Sequence, residues 1–298
     1  MREPIIICPA VEIGGRSPAI KLSLILFVAL ALISPALAAA PADHAAYPWL
    51  EKYDPADSLA ARIAPPAGMQ RAPAVAGSFE AWLRGLPLKK GAPPVRLYNG
   101  QEKPNQTAHW AVLDLDTGPR DLQQCADSVI RLRAEYLYAA GKFDDIHFNF
   151  TSGDRADFSR WLAGFSPVVK GNSVQWAAGR ARANSYAALR SYLDTVFTYA
   201  GTLSLAKEMK KVADVREMRP GDVFIQGGSP GHVVIVVGMA VDPAGGRKAF
   251  LLAQGFMPAQ DMHLLRNPAS SSPWYDLNFG PTLKTPEWTF AAEDLRRF

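Results

Sequence analysis

"RPGDVFIQGGSPGHVVIVVG" (Arg219–Gly238) decides how this chain is read. Two apolar runs flank a Gly/Pro-rich turn, the pattern of an antiparallel hairpin. After His232 the second run is apolar at every position, so both of its faces require cover. An imidazole at the mouth of such a strand needs a hydrogen-bond partner. The next run, "KAFLLAQGF" (Lys248–Phe256), has a single polar residue between Phe250 and Gly255, namely Gln254. If the connection turns around Pro243–Gly246, the residue opposite Gln254 falls between His232 and Ile235. An even register puts His232 and Gln254 on one sheet face, with Cβ atoms roughly 4.5–8 Å apart. An odd register separates them.

The partner for such a pair lies upstream. The apolar core "LSLILFVALALI" (Leu22–Ile33) follows Lys21 and precedes an Ala-x-Ala site at Ala36–Ala38. That is the layout of a signal peptide, cleaved after Ala38 or Ala40, and the run is too short to span a bilayer comfortably. Export is therefore expected, to the periplasm or beyond, with no stable membrane span after cleavage. The chain has two cysteines. Cys8 leaves with the signal, so the mature chain keeps Cys125 alone. A lone thiol in an oxidising compartment is either a small buried hydrophobe or a nucleophile.

Composition narrows the partners. The chain is 48% hydrophobic and 20% charged, which suits one large domain or two small ones. The net charge of +4 builds no Lys/Arg stripe, so a nucleic-acid partner is not indicated. Residues 39–108, rich in Ala and Pro at the start, read as a segment packing on the core. It holds one short amphipathic helix, "GSFEAWLRGLPL" (Gly77–Leu88). Residues 109–298 read as the main α+β domain. "HWAVLDLD" (His109–Asp116) alternates as a strand does. A helix is expected over Asp121–Gly141, capped by Asp121 with Gln124 completing a capping box. Further helices are expected at Asp154–Gly164 and Asn184–Met209, the second breaking near Gly201. Three strands then form a meander. The order is helices first and a sheet last.

Placed in the first turn of its helix, Cys125 meets unpaired N–H groups and the positive dipole end, which favour a thiolate and can hold an oxyanion. A base with an orienter completes such a site. His232 and Gln254 are the candidates for those two roles. The segment "PGDVFI…GHVVIVVG" resembles the His-bearing hairpin of NlpC-type cell-wall peptidases and amidases. Longer stretches, "QCADSVIRLRAEYLY", "FNFTSGD" and "LLAQGFMPAQDMHLL", resemble an exported bacterial family of unknown function over nearly the whole mature chain. The resemblance implies a papain-like cysteine hydrolase, its helices packed on a C-terminal antiparallel sheet. It implies Cys125, His232 and Gln254 as nucleophile, base and orienter. The nucleophile departs from the NlpC pattern, in which Asp-Cys-Ser-Gly stands where this chain has "QQCADS".

The substrate expected is a cell-wall peptide or amide, with acyl transfer served by the same thioester chemistry. The competing expectation is a non-catalytic periplasmic module that binds a glycan or a protein on an inactive scaffold. Gln124 and Gln106 are candidate oxyanion donors. Arg133, Trp274 and Tyr275 are candidate substrate contacts. Arg131 is expected to pair with Asp127 or Glu135 at the surface, and Asp114 with Asp116 to be solvent-facing strand polars. His109, His147 and His263 show no close ligand spacing, so neither a metal nor another cofactor is expected, and His263 reads as a surface-loop residue.

Overall fold

The ten-residue run His232–Val241 is buried at nine positions and is the spine of the fold. Burying side chains of this kind contributes about 1.5–3 kcal/mol each, so a strand apolar on both faces is held between two layers. The computed structural model describes residues 46–298, which fold as one compact unit. The signal-like segment lies outside the described residues. No helix among the described residues is long and apolar enough to cross a membrane.

In chain order, the first elements are α1 (Leu59–Arg62), β1 (Gln70–Arg71), α2 (Phe79–Arg84), β2 (His109–Val112) and α3 (Cys125–Ala139). The hairpin of β3 (His147–Asn149) and β4 (Arg155–Asp157) leads to α4 (Phe158–Leu162), and that of β5 (Ser166–Lys170) and β6 (Ser173–Ala177) leads to α5 (Tyr186–Tyr199) and α6 (Thr202–Glu208). Strands finish the chain. They are β7 (Lys210–Lys211), β8 (Val223–Gln226), β9 (His232–Val241), β10 (Lys248–Gln254), β11 (His263–Leu265), β12 (Tyr275–Asp276), β13 (Thr282–Lys284), β14 (Thr289–Ala291) and β15 (Leu295–Arg297).

The expected papain-like arrangement does not form. The chain builds a mixed α/β fold around a nine-stranded antiparallel sheet, ordered β2-β11-β10-β9-β8-β15-β7, with β1 also on β9 and β12 also on β10. Strands from the N-terminal half, β1 and β2, are woven into the same sheet as the C-terminal strands. The physical reason is the double-sided burial of β9 and β10. Helices cover one face, where α2 and α3 pack on β9 and α6 on β8. The other face needs its own apolar cover, and Tyr275, Leu283, Phe290 and Leu295 from the C-terminal strands supply it.

Two local expectations are also corrected. The helix expected at Asp154–Gly164 is a strand followed by a five-residue helix. Asp121 does not cap α3. The helix starts at Cys125, and Asp127 Oδ2 accepts from the Gln124 N–H at 3.0 Å. At the other end Gly141, at φ 68°, lets the Lys142 and Gly141 amides bond back to Leu137 and Tyr138 carbonyls.

One irregularity sets the phase of β9 against β10. Gly238 pairs with Leu251, but Leu252 pairs with Val236, so Val237 is an extra, unpaired residue. The cores register the slip. Val233, Ile235 and Val237 face the helices with Ala240, whereas Val234 and Val236 face the opposite layer with Met239. With the bulge, the register carries Gln254 opposite Val234 and onto the face of His232. Without it, Gln254 would stand opposite Ile235, on the wrong face.

Candidate active site

His232, Gln254 and His263 sit on three adjacent strands and one sheet face. Gln254 pairs directly with His263 across β10 and β11, and His232 is its diagonal neighbour on β9. All three are buried. His232 Nε2 lies 2.8 Å from Gln254 Oε1. Gln254 Nε2 donates to Glu287 Oε2 at 2.8 Å and lies 3.2 Å from His263 Nε2. His263 Nδ1 lies 2.9 Å from the Asp261 carbonyl oxygen.

These contacts admit one assignment of protons. The Asp261 carbonyl only accepts, so His263 carries its hydrogen on Nδ1 and presents a bare Nε2. A bare nitrogen and a carboxylate both demand donors, so the amide nitrogen of Gln254 faces them. Its oxygen then faces His232, whose Nε2 must carry the hydrogen. The neutral ring of His232 is left with a lone pair on Nδ1, which makes no hydrogen bond among the described residues. Lys103 Nζ and Asn105 Nδ2 hold the Glu287 carboxylate in turn. Phe256, Trp288 and Phe290 surround the His232 ring at centroid distances of 4.9, 5.2 and 6.0 Å. Burial lowers the His232 pKa to about 4 and the His263 pKa to about 3, so both rings are neutral at pH 7.

Cys125 is the first residue of α3 and reaches the mouth of β9 from the helical face, whereas the His232 ring packs on Trp288 and Phe290 of the opposite layer, so the two groups share only the cleft around the end of the strand. Cys125 and His232 line one cleft of about 980 Å³, together with Phe197, Leu203, Pro230 and Met257. Among the described residues no Lys or Arg lines it. Backbone amides of Ala126, of Val233 and of Cys125 itself lie against the sulfur and are the donors an anion there would meet. Burial, seconded by the Asp127 carboxylate, nevertheless pushes the thiol up to about 11, so the expected resting thiolate does not form. Asp127, in the same first turn, is itself raised to about 8 by burial. No hydrogen bond joins Cys125 to the His232 ring among the described residues.

The close approach of α3 to the end of β10 depends on Gly255. A Cβ there would stand 2.1 Å from Ser128 Oγ and 2.9 Å from the Gln124 carbonyl oxygen. Gly231 serves the same purpose beside His232, where a Cβ would meet Thr202 Oγ1 at 2.5 Å.

Several expected site residues lie elsewhere. Gln124 lines the cleft, but its amide nitrogen is committed to Asp121 Oδ1. Gln106 clamps its own loop through Val95 and Lys103 and does not line the cleft. The Arg133 guanidinium lies over the rings of Phe79, Tyr136 and Phe298. Trp274 and Tyr275 line a different cavity. Arg131 is not at the surface. It is fully buried and binds Glu135, Gln123, Asp116 and Tyr186. Asp116 is thereby the partner of Arg131 and Arg190 rather than a free strand carboxylate. His147 contacts Glu208. Sequence reasoning missed His263, Glu287 and Lys103. For His263 a signal was present: its run, "MHLL", is apolar enough for a buried strand.

A protein family described as a domain of unknown function (4846) matches residues 59–297. The chain belongs to that family. The match spans every element from α1 to β15, the cleft and the Gln254 network included. No curated protein and no solved structure matches the chain.

Proposed function

We propose that this member of the family is an exported thiol hydrolase that opens an amide or peptide bond, with cell-wall peptide as its substrate. The observation that carries the reading is the cleft shared by Cys125 and by an imidazole whose hydrogen is pinned on Nε2. Resting thiol and resting imidazole are both neutral, so proton transfer accompanies attack. Nδ1 of His232 takes the proton from Sγ as sulfur adds to the carbonyl carbon. The oxyanion faces the amides at the start of α3. Nδ1–H then protonates the leaving amine, leaving a thioester on Cys125. Water, deprotonated by the same nitrogen, hydrolyses the thioester to the acid. An amine in place of water gives acyl transfer. Gln254 touches the ring and not the substrate, and so acts as a positioning residue. With no Lys or Arg at its walls among the described residues, the cleft favours neutral or cationic groups beside the scissile bond.

The raised thiol pKa favours a second reading, a binding module whose cysteine is inert. 4-Nitrophenyl acetate separates the two. The hydrolase reading expects an acetyl group on Cys125, found by mass spectrometry of the full chain. Its rate of formation falls by about 10²-fold or more in His232→Ala. Absence of acetyl-Cys125, or equal rates in the variant, overturns the hydrolase. Release of new amine from soluble cell-wall peptide, lost in Cys125→Ala, is the expected result for the substrate.

A further inference from the structure

At the opposite end of β10 from Gln254, six residues and about 20 Å away along the strand, a second cavity opens between the sheet and β13. It measures about 680 Å³, the size of a small-molecule site. Its floor is apolar, built from Met69, Trp274, Tyr275, Phe279 and Leu283. The polar ends of the two large aromatics turn away from it. Trp274 Nε1 donates to the Ala64 carbonyl, and Tyr275 Oη to the Arg266 carbonyl. Both rings therefore offer the cavity hydrocarbon surface.

The polar groups around this floor share one character. Arg247, Lys248 and Lys284 line the cavity against a single carboxylate, Asp276. None of the three cations has a carboxylate partner among the described residues. Lys248 Nζ donates to the Arg216 carbonyl, and Arg247 has only the sulfur of Met69 at 3.7 Å. The hydroxyls of Ser270 and Ser272 line the same cavity and accept from the amides of Ser272 and Trp274. Their hydrogens remain free to donate. Asp276 is engaged by the Asn278 amide. The segment that carries the serines is held in place, because Asn267 donates to the Trp274 carbonyl and accepts from the Ala269 amide.

Unpaired cations and free donors over an apolar floor recognise an anion with an apolar body. We infer that this cavity is a binding site for an amphipathic organic anion, its carboxylate, sulfonate or phosphate held by Arg247 and Lys284 and its hydrocarbon part seated on Trp274 and Tyr275. The site is separate from the Cys125 cleft, which has no basic wall, and the inference stands whether or not that cleft is catalytic.

The test uses two dyes on the full folded chain. Anilinonaphthalene sulfonate is an apolar anion, and N-phenyl-1-naphthylamine has a similar ring system without the charge. The sulfonate is expected to bind with fluorescence enhancement, and decanoate but not decanol to displace it. In Arg247→Ala/Lys284→Ala, two exposed positions, the sulfonate should bind about tenfold more weakly or worse. The naphthylamine affinity and the thermal melt should be unchanged. Unaltered sulfonate affinity in that variant, or equal displacement by decanol, overturns the inference.

Discussion

His232 and Gln254 meet across 2.8 Å because β9 carries one residue too many. The unpaired Val237 shifts the strand by one position, and with it the face that His232 presents. A site that depends on two side chains from neighbouring strands is thus set by a backbone irregularity five residues away from the histidine.

Replacing Gln254 by Glu tests the proton assignment. A carboxylate accepts from His232 Nε2–H as the amide oxygen does, and its charge favours the imidazolium. It has no N–H for Glu287 or His263, and it faces Glu287 with like charge. The expected outcome is a loss of about 1–3 kcal/mol in urea unfolding, together with an upward move of the acid limb in the pH–rate profile of Cys125 acetylation. A limb that stays in place shows that the Gln254 oxygen does not face the ring.

The buried imidazoles also shape stability against pH. Folded pKa values of about 4 and about 3 lie below the ordinary 6.5 of the unfolded chain. The unfolded state therefore binds more protons below pH 6.5, and stability is lost as pH falls from there. Asp127 acts in the opposite sense, since its folded value near 8 exceeds its ordinary 3.8 and stability falls as pH rises between them. His109, lowered by burial, acts in the sense of the two imidazoles, and Glu135, raised by burial, in the sense of Asp127. Between about pH 4 and 6.5 two protons oppose one, a net gain of about 1.4 kcal/mol per pH unit. Above 6.5 the Asp127 proton remains and the curve turns down. Urea unfolding across this range should show a maximum near pH 6.5, and His263→Gln should flatten the acid side. A variant that keeps the full acid slope excludes His263 as its source.

The parts of this architecture that could be read from residues were those with a local cause. The apolar run after His232 required a strand covered on both faces, and the helix break near Gly201 separates α5 from α6. What covers the second face was not readable, because β13 and β14 are three residues each and have no alternation to count. The register of Gln254 was open by one residue, since a bulge at Val237 leaves no mark in a run of valines. Arg131, Glu135 and Asp127 looked like a solvated helix face. Arg131 and Glu135 are buried because the loop at Asp116 and Tyr186 of α5 close over them, a tertiary event. Glu287 and Lys103 come from opposite ends of the fold and meet only there.

The seat of the thiol rests on a missing side chain. A Cβ at Gly255 would overlap Ser128 Oγ at 2.1 Å and crowd the Gln124 carbonyl. Gly255→Ala should lower stability by about 1–3 kcal/mol and displace the start of α3 from β10. Acetylation of Cys125 should slow with it. Adding Ser128→Gly relieves the shorter contact but not the one to backbone, so recovery should be partial. A neutral Gly255→Ala would mean that the helix start has slack.

Arg131 is a fully buried charge in the middle of α3. Its guanidinium is fully buried and holds Glu135, itself fully buried, at 2.5 Å. Desolvation opposes both charges, so the pair persists through mutual attraction and the added bonds from Gln123, Asp116 and Tyr186. Arg131→Met strands the Glu135 carboxylate with the Tyr186 hydroxyl as its main donor. The expected cost is about 3–5 kcal/mol in urea unfolding. In Arg131→Met/Glu135→Leu no buried charge is left alone, and most of that loss should return. The double-mutant cycle should thus give a coupling of about 2 kcal/mol or more. Additive effects of the two substitutions would show that each side chain contributes through packing alone.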